Sequence, residues 1–285
     1  MAGLLDCRFL SHKKIWMVFG ILVAMSSSSQ ARISCQGLPW SGIELVCSGS
    51  PVFRTALAQG IDPVGLAALR PVESYLVLVQ NRSRKALVAV MIRYERVSPS
   101  GQSAWLNSLW LTTQNIDRRK AHPGESILMG PFGGFSRVLR ERLVMVDAQG
   151  ASIDVQRRAA EFGESTEIRI QLDAVVFDDG VLLGPDNAGL QAELGAYIRA
   201  ERELHENVLK MAGEARREYL KSVAEKADFL ALLGENTPEA LYKRHLAVYA
   251  RILLSMLDRA RNEEEFLIWE SQVVGSSIPE LRREN

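Results

Sequence analysis

The chain has 285 residues, and its 34 Lys/Arg are balanced by 34 Asp/Glu, so the formal charge is zero. Residues 32–185 hold 17 basic against 15 acidic side chains and residues 186–285 hold 14 against 18. That balance excludes the basic stripe a phosphate backbone requires, and with it nucleic acid as a partner. An apolar share of 47% supplies core for one large or two small domains and excludes general disorder.

The first element is not part of the fold. Lys13-Lys14, the apolar run from Ile15 to Met25, and small residues flanking Gln30 are the three parts of a secretory signal peptide. A membrane span needs about 20 apolar residues, more than this run provides. Cleavage is expected after Ala31, giving an exported chain, periplasmic or extracellular, with no transmembrane segment once residues 1–31 are removed. Cys7 leaves with the signal, so Cys35 and Cys47 remain as a pair. In an oxidising compartment they are expected to form a disulfide, stabilising by about 3 kcal/mol through loop closure. Two free buried thiols are the alternative. Lipid attachment at Cys35 fits poorly, since Arg32-Ile33-Ser34 lacks the small apolar box it uses.

Residues 32–71 are punctuated by Gly37, Pro39, Gly42, Pro51, Gly60, Pro63, Gly65 and Pro71, which predicts short helical turns and loops. Arg70-Pro71 biases the chain to extended geometry before the first strand. Strands are then predicted at Tyr75–Val79, Leu87–Tyr94 and Trp105–Thr112. A turn at His122–Glu125 leads to a short strand at Ser126–Met129. Further strands at Leu143–Val146 and Ser152–Val155 flank a turn at residues 148–150. In the next strand Ile168, Ile170, Leu172, Ala174 and Val176 alternate with Glu167, Arg169, Gln171 and Asp173, one face in a core and the other toward water. Asp179-Gly180 is a two-residue hairpin turn leading to Val181–Leu183.

At Gly184-Pro185-Asp186 the period changes. Asp186 is a candidate N-cap, and the stripe Leu190, Leu194, Tyr197, Glu201, Leu204, Val208, Met211 and Ala215 has helical spacing. Further helices are expected at residues 217–233, from a Thr237-Pro238 start onward, and at residues 263–274, with a frayed charged end from Glu280. The stripe serves either a coiled-coil partner or, as preferred, the helices after Thr237.

Candidate chemistry is sparse. His122, His205 and His245 share no metal-ligand spacing and read as packed or surface histidines. Asp178-Asp179-Gly180 with Asp186 reads as a turn and a cap rather than a calcium loop. Gly130–Gly134 lacks the lysine of a phosphate cradle, and Arg118-Arg119-Lys120 reads as a solvated loop. Asn81-Arg82-Ser83 matches the glycosylation triplet on an expected exposed turn. No catalytic, cofactor or metal residue is assigned.

The strand tempo and the Pro123-Gly124-Glu125 turn resemble, in architecture only, the immunoglobulin-like and fibronectin-like sandwiches of bacterial exported proteins, over about residues 72–185. The Cys…Trp…Cys pattern of true immunoglobulin domains is missing, so the resemblance implies no function. The expected organisation is α+β in segregated parts: signal 1–31, an N-terminal segment 32–71 with the disulfide, a β-sandwich 72–185, and a helical domain 186–285. The function expected is a non-enzymatic exported protein for binding or envelope assembly, its partner a protein or envelope component met through the C-terminal helices. The alternative is an exported hydrolase using scattered carboxylates, Asp173, Asp178 and Glu125.

Overall fold

The structure, a computed structural model, describes residues 31–39, 41–112, 120–131, 136–139, 148–226, 237–274 and 281–283. The expected signal peptide, the strand at Leu143–Val146, Arg118-Arg119 and most of the Gly130–Gly134 loop lie outside them. Among the described residues the fold is α+β, with two sheets and seven helices, and the strands concentrated in the N-terminal part.

The first sheet has six strands. β1 (Arg32–Gln36) runs parallel to the first half of β8 (Glu167–Phe177), and β4 (Leu87–Val97) and β5 (Ser103–Leu111) follow antiparallel on the other side. β9 (Val181–Leu183) pairs with the second half of β8, and β10 (Arg282–Arg283) with β9. The second sheet is antiparallel in the order β2 (Ile43–Cys47), β3 (Val77–Asn81), β6 (Ser126–Met129), β7 (Ser136–Leu139).

One core joins the sheets. Val77, Val79, Ile127 and Met129 of the second sheet share a buried cluster with Val90, Ile92, Tyr94, Trp110, Ile168 and Ile170 of the first. The outer face of the second sheet is covered by α1 (Pro51–Gly60), α2 (Pro63–Leu69), a 3₁₀ turn (Arg70–Tyr75) and α3 (Ala148–Gly163). There Phe53, Leu57, Leu69, Val72 and Val155 pack on Leu78 and Leu128. On the outer face of the first sheet, α4 (Leu190–Leu209) lays Leu190, Leu194 and Tyr197 over Val88, Ala89, Met91, Ala174 and Val176. The rest of α4 then packs with α5 (Gly213–Lys226), α6 (Pro238–Arg259) and α7 (Glu263–Val274) around Leu204, Val208, Leu220, Leu253 and Phe266. The stripe from Leu190 to Val208 is therefore buried within the chain.

Four local expectations are corrected. The segment 32–71 carries the strands β1 and β2 besides its expected short helices, which Pro51 and Pro63 open. Each proline sits at the first helical position, where its missing N–H costs nothing, behind a cap. The Ser50 hydroxyl accepts from Val52 N–H (3.2 Å), and the Asp62 carboxylate from Val64 and Gly65 N–H (both 3.0 Å). Arg70 is helical (φ −48°, ψ −42°) and opens the 3₁₀ turn, so the next strand begins at Val77 and not Tyr75. Ser152–Val155 is helical because the longer period of Val155, Ala159 and Phe162 prevails over a brief alternation. Asp186 is left-handed (φ 57°) and lies ahead of the cap, which is Gly189 (φ 76°).

The long stripe is also interrupted. α4 ends at Leu209, and the buried Arg216 guanidinium donates to the freed carbonyls of Val208 (3.1 Å) and Met211, a cation at the negative end of the helix. The Thr237 cap is as expected, its hydroxyl accepting from Ala240 N–H (3.2 Å). Glu280 lies outside the described residues, and Arg282–Arg283 form β10. No described helix is long and apolar enough to cross a membrane.

Candidate functional site

Among the described residues, α4 covers only one end of the six-stranded sheet. At the other end the outward residues of four strands form three cross-strand rows, fixed by register. They read Arg32–Glu167–Val97–Ser103, Ser34–Arg169–Glu95–Trp105, and Gln36–Gln171–Arg93–Asn107. The residues between them on β1 and β8, Ile33, Cys35, Ile168 and Ile170, face the core, so strict alternation puts these twelve on one outer surface. Eleven of the twelve are polar, charged or aromatic.

Trp105 is the anchor of this face. Its side chain is 46% exposed, an unusual state for so large an apolar ring, and the Arg93 guanidinium lies 4.0 Å from the ring centroid. Arg93 is held from below by Asp173, 4.0 Å away. Beside it, Arg169 spans Glu95 (3.0 Å) and Glu167 (2.9 Å), and the Ser103 hydroxyl donates to Glu95 (2.8 Å). The hydrogen bond and charge of Arg169 hold the Glu167 carboxyl below its ordinary range, and the two carboxylates raise Arg169 in turn. The face is thus charged residue by residue but nearly neutral as a whole. Among the described residues the side-chain amides of Gln36, Asn107 and Gln171 make no hydrogen bond, which leaves donors and acceptors pointing to solvent beside an open ring.

Cys35 and Cys47 form the expected disulfide, with a Cα–Cα distance of 6.2 Å. It ties β1 of one sheet to β2 of the other, fixing the strand that borders the polar face.

The suggested carboxylates serve structure. Asp173 is 2% exposed, not turned to water as its alternation predicts. α4 and the loop before it cover it, and it accepts from Asn187 N–H (3.2 Å) and Ala188 N–H (2.8 Å). Asp178 faces Lys120 (3.7 Å), and Glu125 accepts from His122 N–H (2.7 Å). Asp179 meets Lys85 (2.8 Å) and Arg282 (3.4 Å), while Asp186 meets Arg283 (3.3 Å), so these carboxylates fasten the C-terminal strand to the β8–β9 hairpin.

Two histidines each pair with a carboxylate between helices. His245 Nε2 is 2.9 Å from Glu193, which Arg244 also contacts (2.9 Å), and His205 Nδ1 meets the fully buried Glu270. The Glu193 side chain is 16% exposed. Burial alone would raise its pKa, but the bond and charge of His245, with Arg244, more than offset this and lower it. His245 is indeed packed, but its carboxylate partner is set by the docking of α4 along α6, which neither stripe reveals alone.

The glycosylation triplet is corrected. Asn81 is 0% exposed, not on an open turn, because its side chain ties two turns together. Its amide donates to the carbonyls of Lys85 and Ala121 (both 2.8 Å), and its oxygen accepts from Ser83 N–H (3.1 Å) and the Ser83 hydroxyl (2.7 Å).

Comparison with protein-family models, with curated proteins and with solved structures found no match to this chain.

Proposed function

We propose that the chain is an exported, non-enzymatic binding protein that holds an uncharged, hydroxyl-rich component of the cell envelope, a glycan, on the outer face of the six-stranded sheet. The observation that carries this reading is the half-exposed Trp105 set among free amides on a flat, internally neutralised surface. A sugar ring offers an apolar face to stack on the indole, and hydroxyls that both donate and accept suit Gln36, Asn107 and Gln171. Because Arg169 is already engaged by Glu95 and Glu167, the face presents little net field for a charged ligand. The apolar stripe of α4 is used internally, so the surface for the partner lies on the sheet and not on the helices. The immunoglobulin-like reading of residues 72–185 belongs to the same proposal, supported by two sheets that share one core.

Export is supported by the disulfide, which persists in oxidising compartments. The hydrolase alternative gains no support from Asp173, Asp178 and Glu125, each already engaged as described.

The test is retention of the mature protein on purified envelope polysaccharides, with a panel of soluble oligosaccharides in titration. Binding should withstand added salt. Trp105→Ala should weaken it by about 2 kcal/mol, or roughly thirtyfold, as loss of an aromatic anchor does. Binding that survives Trp105→Ala unchanged, or no retention on any glycan, would refute the reading.

A further inference from the structure

Among the described strands, the one that carries Trp105 is also the outermost of its sheet, and it is unlike the other edges. β1 carries Arg32, β2 carries Glu44, β7 carries Arg137 and β10 is two arginines, whereas β5 reads Ser-Ala-Trp-Leu-Asn-Ser-Leu-Trp-Leu over nine residues. Charge, proline and shortness are the usual devices that stop an edge from pairing, and β5 has none of them. The ladder to β4 runs through the even-numbered residues of β5, as the flanking bonds from Thr112 N–H to Val88 (3.0 Å) and from Ser98 N–H to Gln102 (2.9 Å) fix. The N–H and C=O groups of Ser103, Trp105, Asn107 and Leu109 therefore point away from the sheet, and among the described residues they have no partner.

We infer that β5 pairs with β5 of a second copy of this chain, antiparallel about a two-fold axis at Asn107, joining two six-stranded sheets into one. This inference stands apart from the identity of any ligand. The strand is self-complementary in that register. Asn107 is its midpoint and meets its own copy as a hydrogen-bonded pair, while Trp105 faces Leu109 of the second copy on both sides of the axis. Absence of charge is what permits this, since any charged residue near the axis would be set against its like. An axis perpendicular to the sheet turns both outer faces the same way, so the two polar surfaces become one continuous surface with two Trp105 rings. A polymeric ligand would then gain from effective concentration, without any new contact.

The test uses sedimentation and oxidative cross-linking of the mature chain. A hydrogen-bonded antiparallel pair brings Cα atoms to about 5.5 Å, within disulfide range. Asn107→Cys should thus cross-link spontaneously into a covalent dimer, while a cysteine at the exposed Gln59 of α1 should not. Asn107→Lys and Asn107→Asp should each sediment as monomers, and mixing them should restore a dimer that contains one of each. If the variants fold poorly, the wild-type chain decides alone, since a monomer at every concentration up to its solubility limit would overturn the inference. So would a wild-type dimer that both charged variants leave intact, or cross-linking at Asn107→Cys no greater than at Gln59→Cys.

Discussion

Asn81→Ala tests the part of the fold that the glycosylation triplet obscures. The Asn81 side chain makes four hydrogen bonds, and its backbone adds two more, from its own N–H to Glu125 (2.9 Å) and from Gly124 N–H to its carbonyl (2.7 Å). It thereby locks the turn between β3 and β4 to the turn before β6. Truncation to alanine leaves the two backbone bonds but removes all four side-chain bonds. The losses are unequal. Ala121 O still accepts from Leu87 N–H (2.8 Å), and the one proton of the Ser83 hydroxyl, released by Asn81, turns to Lys85 O (2.9 Å). The Ser83 N–H is the group left without a partner. Four bonds are lost and one is regained, and a net three at about 1 kcal/mol each give a cost of about 3 kcal/mol.

Urea unfolding followed by circular dichroism measures this cost directly. Asn81→Asp supplies a second arm. The new carboxylate faces two carbonyl oxygens in a buried site, which raises its pKa in the folded state. Its penalty is therefore largest at neutral pH and shrinks as pH falls and the group protonates. A cost below about 0.5 kcal/mol for Asn81→Ala, as at an ordinary surface position, would mean that the network does not form. A glycan at Asn81 on natively folded protein would refute the burial outright, because both amide hydrogens are committed.

Two further predictions concern the frame that holds the polar face. Cys35 and Cys47 are 12 residues apart, so the double substitution to serine should cost about 3 kcal/mol by loop closure, and intact protein should resist alkylation until reduced. At Glu193 the folded pKa lies below the ordinary 4.5, so its stabilisation is present above that value and is lost as pH falls through the folded pKa. Melting curves of wild type and Glu193→Gln should converge on acidification, and parallel curves would contradict the lowered pKa.

What could be read in advance depended on how far the deciding contact lay along the chain. The Asp179-Gly180 hairpin, the Thr237-Pro238 start, the last helix and the β8 alternation as far as Leu172 are set by neighbours within a few residues and are legible. So is the disulfide, because Cys35 and Cys47 are the single pair once Cys7 is assigned to the expected signal peptide. The register shift opposite Asp173, by contrast, moves Ala174 and Val176 to the α4 side. Strands β1 and β2 are not legible, because each is a short run among glycines and prolines and is fixed by a partner strand far along the chain. The polar face was half legible. Glu167, Arg169 and Gln171 follow from the period of β8, but their meeting with Trp105 depends on two strand registers that no local pattern encodes.

The same reasoning explains why an open face exists at all. β4 and β8 are eleven residues each, about 36 Å of strand at ~3.3 Å per residue. α4 touches the sheet through Leu190, Leu194 and Tyr197, two turns or about 11 Å of helix, before its apolar residues turn to the bundle. The covered end bears Val88, Ala89 and Met91, whereas the uncovered end bears arginines, glutamates and amides. Arginine and glutamate suffice to keep such a surface soluble, and an exposed indole adds nothing to that task. Trp105, on a strand that carries no charge, is the residue whose presence solubility does not explain, and the proposed glycan surface is built on it.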